Sequence, residues 1–231
     1  METEKKEVQS HGFSWENELI ANVYGATKEE LKVSGVKYTS KTDLPSSLNR
    51  LDNCDVSIKT TCNENTVCMA DCLRVYDAVS SGKPLHLTVV HYKQNDITNT
   101  KNISSIIEID LTNSCSLLFG TLTRTQIEEL VKAVKSVPQK RRPTIEEHKN
   151  IYSIRDRYQK NSGAIYLNIK CNSTQSRLQC SFNQFKDFIE KNESRVIAKS
   201  NTNEFRGGII SSEIVSKRRV FKKKNNNKQN E

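Results

Sequence analysis

The chain has 231 residues, enough for one large domain with its own core. With 35% hydrophobic and 27% charged residues it offers no stretch able to span a bilayer, and seven cysteines are an odd number for a disulfide-stapled fold. The formal charge of +9 is unevenly placed: from Lys217 to Glu231 there are seven basic residues and one acid, a net +6, which leaves only +3 for the first 216 residues. The Lys/Asn-rich end reads as a disordered, solvated tail with general affinity for phosphate. The charged N-terminus lacks the apolar segment of a secretory signal. That predicts a cytoplasmic protein with reduced thiols, in which the Asn-Xaa-Ser/Thr triplets at Asn102, Asn172 and Asn192 carry no glycan.

Taken in chain order, the pattern predicts a helix over 15–24 behind Ser14 as N-cap and another helical turn over 27–32, then a polar irregular stretch over 37–53. Residues 55–61 alternate apolar and polar and predict a strand; 66–79 predicts a helix stopped by Ser-Ser-Gly82. Residues 85–92 and 104–111 are β-branched and predict a hairpin. Two capping boxes, Thr125-Gln-Ile-Glu128 and Thr144-Ile-Glu-Glu147, predict helices over 125–136 and 144–160. A second hairpin is expected from 164–170 and 177–182, then a short helix over 183–191 and a last strand or hairpin over 209–220. Helices interleaved with strands predict a mixed α/β fold. The expected division is one domain over 1–216 with a flexible basic tail over 217–231. Within the domain, about 13–120 would be the catalytic part and about 121–216 the recognition part.

The most informative segment runs from Thr42-Asp-Leu-Pro45 to Asn53-Cys-Asp-Val-Ser-Ile-Lys59. Side chains alternate along a strand, so Asp55, Ser57 and Lys59 share a face opposite Val56 and Ile58. Carboxylates beside an ammonium, with Asp43 nearby, suit metal-assisted phosphodiester hydrolysis: hard oxygens hold Mg2+, and the lysine orients the attacking hydroxide. This segment resembles the active site of the PD-(D/E)xK nucleases, the superfamily of most type II restriction endonucleases. There an Asp is followed, after a spacer, by an acid two residues before a Lys on a strand. Asp43 and Lys59 match that pattern, and Ser57 stands where the second acid is usual. Two replacements are available, Asp55 and Glu16. Glu16 lies on the apolar stripe of the first helix, where an acid has to be paired, neutralised or metal-bound. Its context, His11-Gly-Phe-Ser-Trp-Glu16, resembles the opening of several restriction endonucleases in which a first-helix Glu supports the metal site.

The resemblance implies a restriction-endonuclease-like mixed central sheet flanked by helices. It implies an Mg2+-dependent, site-specific double-stranded DNA endonuclease with Asp43, Asp55 and Glu16 as metal ligands and Lys59 acting on the nucleophilic water. Such an enzyme is expected as a homodimer in a bacterial or virus-infected cell, beside a cognate DNA methyltransferase. For DNA contact the candidates are the second hairpin's Lys170, Asn172, Ser173, Gln175, Arg177 and Gln179, side chains able to read base edges from a two-stranded ribbon. Arg141, Arg142 and Arg206 are candidates for backbone phosphates. The alternative is a DNA-binding protein without catalysis, with Asp43, Asp55 and Lys59 in surface ion pairs. The cysteines, whose spacing is not that of a zinc ribbon, read as small apolar residues.

Overall fold

The structure is a computed structural model that describes residues 10–35, 40, 42–138 and 141–215. It is mixed α/β. Helix α1 (Ser10–Asn22) and the short α2 (Lys28–Val33) lead to strand β1 (Asp55–Thr61), then β2 (Val67–Asp71), helix α3 (Cys72–Val79), and the long hairpin of β3 (Leu85–Asn95) and β4 (Thr100–Asp110). Helices α4 (Cys115–Phe119), α5 (Arg124–Lys135) and α6 (Ile145–Gln159) follow. After them come the hairpin of β5 (Ile165–Asn172) and β6 (Gln175–Phe182), helix α7 (Phe185–Lys191), and strands β7 (Val196–Ser200), β8 (Glu204–Phe205), β9 (Gly208–Ile209) and β10 (Glu213–Val215).

The main sheet runs β1-β3-β4-β10, with β7 also on β4. β1 and β3 are parallel, joined through β2 and α3, while β3 and β4 are antiparallel. A second sheet, β2-β6-β5, is antiparallel. Two apolar clusters sit around this frame. One packs α1 (Trp15, Leu19, Ile20, Val23) on Val56, Ile58, Val90 and Ile106; the other packs α3, α5 and the second sheet on Leu87, Val89, Ile107 and Ile109. Alternation along β1 and β3 therefore sends Val56 and Ile58 to one cluster and leaves Ser57 and Lys59 on the opposite face.

The strand over 55–61 forms with the expected bounds, and Thr144 caps α6 with the expected box. Other expectations shift. Ser14 lies inside α1, where its hydroxyl donates to Glu18 Oε1 at 3.2 Å instead of capping. The capping box of α5 is Thr123 with Gln126, two residues before the expected one. The predicted helix over 66–79 is divided. Val67 and Met69 are buried at strand spacing and Val67 pairs with Phe182, so these residues join β6, and helix begins only after Asp71, whose carboxylate accepts from the Arg74 amide. The switch passes through a bulge at Met69 and a left-handed Ala70 (φ 78°). α4 and β7 were not expected, each being too short for periodicity to register. Of the last predicted segment, Ile209 ends β9 and Glu213–Val215 form β10, and residues 216–231, including the predicted tail, lie outside the described residues.

The C-terminal strands act as a strap across α1. Trp15 Nε1 donates to the Ser211 carbonyl (2.8 Å), Asn22 Nδ2 to the Ile209 carbonyl (2.8 Å), and the Ser211 amide donates to Glu18 Oε2 (2.5 Å). Gly208 permits the approach: a Cβ there would meet the Asn22 carbonyl oxygen at 2.4 Å. No helix among the described residues is long and apolar enough to cross a membrane.

Candidate active site

Asp43 is delivered to the outer edge of β1 by one antiparallel bridge, Leu44 with Val56, in which the Val56 amide donates to the Leu44 carbonyl at 2.8 Å. Past that bridge the Asp43 side chain takes over the pairing. Its Oδ2 accepts from the Ile58 amide (2.7 Å), Lys59 Nζ (2.8 Å) and Ser57 Oγ (3.2 Å). A carboxylate held by an edge-strand amide is fixed in direction, and these bonds engage only one of its two oxygens. Lys59 also donates to the Ile58 carbonyl (2.9 Å), so its ammonium is pinned between β1 and Asp43, with both side chains largely withdrawn from solvent at 20% and 27% exposure.

Glu16 completes the group. It lies half-buried on α1, and its carboxyl is pushed up from an ordinary 4.5 to about 7, first by burial, then by the negative charge of Asp43, with the Lys59 ammonium pulling the other way. Two carboxyls and one ammonium from three separated parts of the chain thus share one field. The like charge of Asp43 is what a cation between the two carboxylates would offset.

Asp55 does not join them. It lies on the Lys59 face of β1, but four residues of strand put it about 13 Å away, and its Oδ1 accepts from the Ser46 amide at 2.7 Å, holding the turn after Pro45. Of the two replacements for the acid missing at Ser57, the fold brings Glu16 and not Asp55.

The second hairpin forms with a two-residue turn at Ser173–Thr174 and the register Lys170 to Arg177 and Asn172 to Gln175. Lys170, Ser173 and Arg177 are exposed, and Gln175 is half-buried. Asn172 closes the turn, its Oδ1 accepting from Thr174 N, Thr174 Oγ1 and Gln175 N. Gln179 is a correction: at 9% exposure, between Asn168 and Asp71 in the middle of the second sheet, it has no access to a base edge. Arg206 is another. Its guanidinium is tied to Asp52 (2.5 and 3.1 Å) and Glu108 (2.9 Å), so it balances internal charge and does not reach outward. Arg141 is exposed but forked onto Glu147 at the start of α6, and Arg142 is exposed.

Arg74 gains importance from the fold. It opens α3 behind Asp71, which pairs with Gln179 of β6, and its Nη1 donates to the Ser40 carbonyl (3.3 Å), just ahead of Asp43. These contacts tie Ser40, three residues before Asp43, to the start of α3 beside the second sheet. The internal cluster of Asp52, His86, Glu108 and Arg206 was also missed. Its signal in the sequence is a lone acid in the apolar run Ile106-Ile-Glu-Ile109, at a position the fold buries completely.

No family model, curated protein or solved structure matches this chain.

Proposed function

We propose that the protein is a magnesium-dependent, site-specific endonuclease acting on double-stranded DNA, with a restriction-endonuclease-like fold of the PD-(D/E)xK class. One observation carries this reading: Asp43 from the edge bridge and Lys59 from β1 meet at 2.8 Å, and Glu16 from α1 feels the charge of both. The connection of β1 through α3 to the parallel β3 frames it.

The donor set fits the ion, since carboxylate oxygens are the hard ligands that magnesium takes. Asp43 and Glu16 would hold it, with the Ser57 hydroxyl beside them. Bound there, the ion would acidify a coordinated water and balance charge growing on the phosphate. Asp43 keeps one oxygen out of these bonds, since the Ile58 amide, Ser57 and Lys59 all donate to the other. Lys59 is aimed by its bonds to Asp43 and the Ile58 carbonyl, and from there its ammonium can orient a hydroxide and steady negative charge on phosphate. Glu16 is ionised and ready to bind a cation only toward neutral and higher pH. The exposed Lys170 and Arg177, with the half-buried Gln175, would read base edges from the hairpin, and Arg74 would add a cation on the same chain half as the site. A homodimer matching a twofold DNA site, a partner methyltransferase and a cytoplasmic setting in a bacterial or virus-infected cell belong to the same proposal.

The Asp43–Lys59 contact also favours a second reading, a DNA-binding protein in which this ion pair is only structural. Incubating the purified chain with long unmethylated DNA and Mg2+ separates the two. Cleavage that stops with chelator, and that falls on the order of 10^2–10^3-fold in Lys59→Ala while DNA binding persists, supports the enzyme. Uncut DNA under all conditions, or an unaltered rate in Lys59→Ala, refutes it.

A further inference from the structure

On the other face of β1 from Lys59 lies a cluster that the nuclease reading does not use. Asp52 and Cys54 come from the segment entering β1, His86 from β3, Glu108 from β4 and Arg206 from the turn between β8 and β9. Asp52, Cys54 and His86 each present a ligand atom within 4.8 Å of the others. His86 Nδ1 stands 4.0 Å from Asp52 Oδ2 and 2.9 Å from Glu108 Oε1. Cys54 is 2% exposed, and its sulfur is touched by Asn49 Nδ2 at 3.5 Å, a bond that also ties the 49–54 loop together through the Cys54 carbonyl.

The charges of this cluster do not close. Glu108 is fully buried and Asp52 mostly so, and one guanidinium, Arg206, serves both. With His86 neutral, the form in which an imidazole binds a metal, two carboxylates against one Arg leave one negative charge unbalanced, which is costly. A divalent cation that ionises Cys54 brings two positive charges and creates one negative, and the sum becomes zero. The donors also select the ion. Sulfur, imidazole nitrogen and a single carboxylate oxygen make the mixed set of zinc-class sites, unlike the oxygen-only set at Asp43 and Glu16.

We propose that Asp52, Cys54 and His86 form a three-ligand site, its fourth position left to water, for one thiophilic divalent cation of the zinc class, with Glu108 and Arg206 as its charge-balancing surround. Binding exchanges the Cys54 thiol proton for a metal–sulfur bond and releases that proton to solvent. The ion would join the 49–54 loop to β3, and through Arg206 to the C-terminal strap. The proposal is independent of the nuclease reading and survives its failure.

Cobalt(II) titrated into the full chain is the direct probe. The expected result is one equivalent bound, with tetrahedral d–d bands and a thiolate-to-cobalt charge-transfer band that zinc displaces and magnesium leaves in place. Cys54→Ala should abolish the charge-transfer band and His86→Gln should weaken binding at least tenfold, while Cys68→Ala, at an exposed thiol, should change neither. Absence of a charge-transfer band in the wild-type chain, or a band that survives Cys54→Ala, overturns the proposal. Where Cys54→Ala does not fold, the cadmium-113 spectrum of the wild-type chain decides: one resonance shifted by a single sulfur ligand supports the site, and no bound resonance refutes it.

Discussion

Glu16→Gln tests the electrostatics of the candidate active site without chemistry on DNA. Glu16 titrates near 7 in the folded chain against an ordinary 4.5, so between those values the folded state holds a proton that the unfolded state releases. The sign follows directly: the native state binds more protons, and stability falls as pH rises from about 4.5 through about 7. At about 1.4 kcal/mol per pH unit, the full cost above pH 7 is about 3 kcal/mol. Glutamine keeps the shape of the neutral acid and never ionises. The variant should match the wild type near pH 4.5 and exceed it by about 3 kcal/mol above pH 7, roughly 6–12 °C in melting temperature for a domain of this size. Thermal melts of both proteins across this pH range give the comparison. Magnesium added above pH 7 should stabilise the wild type, by offsetting the charges of Glu16 and Asp43, and should do much less for the variant. Parallel pH profiles for the two proteins would show that Glu16 does not share a buried field with Asp43, and the site would lose its second carboxylate.

Three further outcomes follow from the same geometry. Arg206→Met takes the guanidinium from the buried Glu108, leaving it His86 alone, and should cost about 3 kcal/mol, read as a lowered midpoint in urea, with DNA affinity of the folded protein unchanged. Gly208→Ala places a methyl 2.4 Å from the Asn22 carbonyl oxygen and should cost roughly 1–3 kcal/mol; because it loosens the strap over α1, the pH dependence that Glu16 confers should flatten with it. Truncation after Ser216 removes seven basic residues and should lessen the salt dependence of nonspecific DNA binding, measured by affinity across a salt series, without altering where DNA is cut.

Local pattern by itself determined a good part of this protein. Alternation placed 55–61 as a strand and set Lys59 opposite Val56 and Ile58; the box at Thr144 placed α6; β-branched runs placed the first hairpin and a polar turn between two strands the second. Asp43 and Lys59 were legible because the strand and its neighbouring bridge are close in sequence. What the sequence could not decide was partnership at a distance. Asp55 and Glu16 were both available for the acid missing at Ser57 until the fold set one about 13 Å along the strand and brought the other, on α1, into the field of Asp43. Residues 67–71 have short-range preferences for either state, and only the edge offered by β6 made them a strand. Arg206 and Gln179 look alike in sequence to residues free to touch DNA, yet each meets its neighbours from chain segments far away, Arg206 at Asp52 and Glu108 and Gln179 at Asp71. Periodicity reports which face a side chain takes, while the charge that awaits it there is fixed only when distant strands come together.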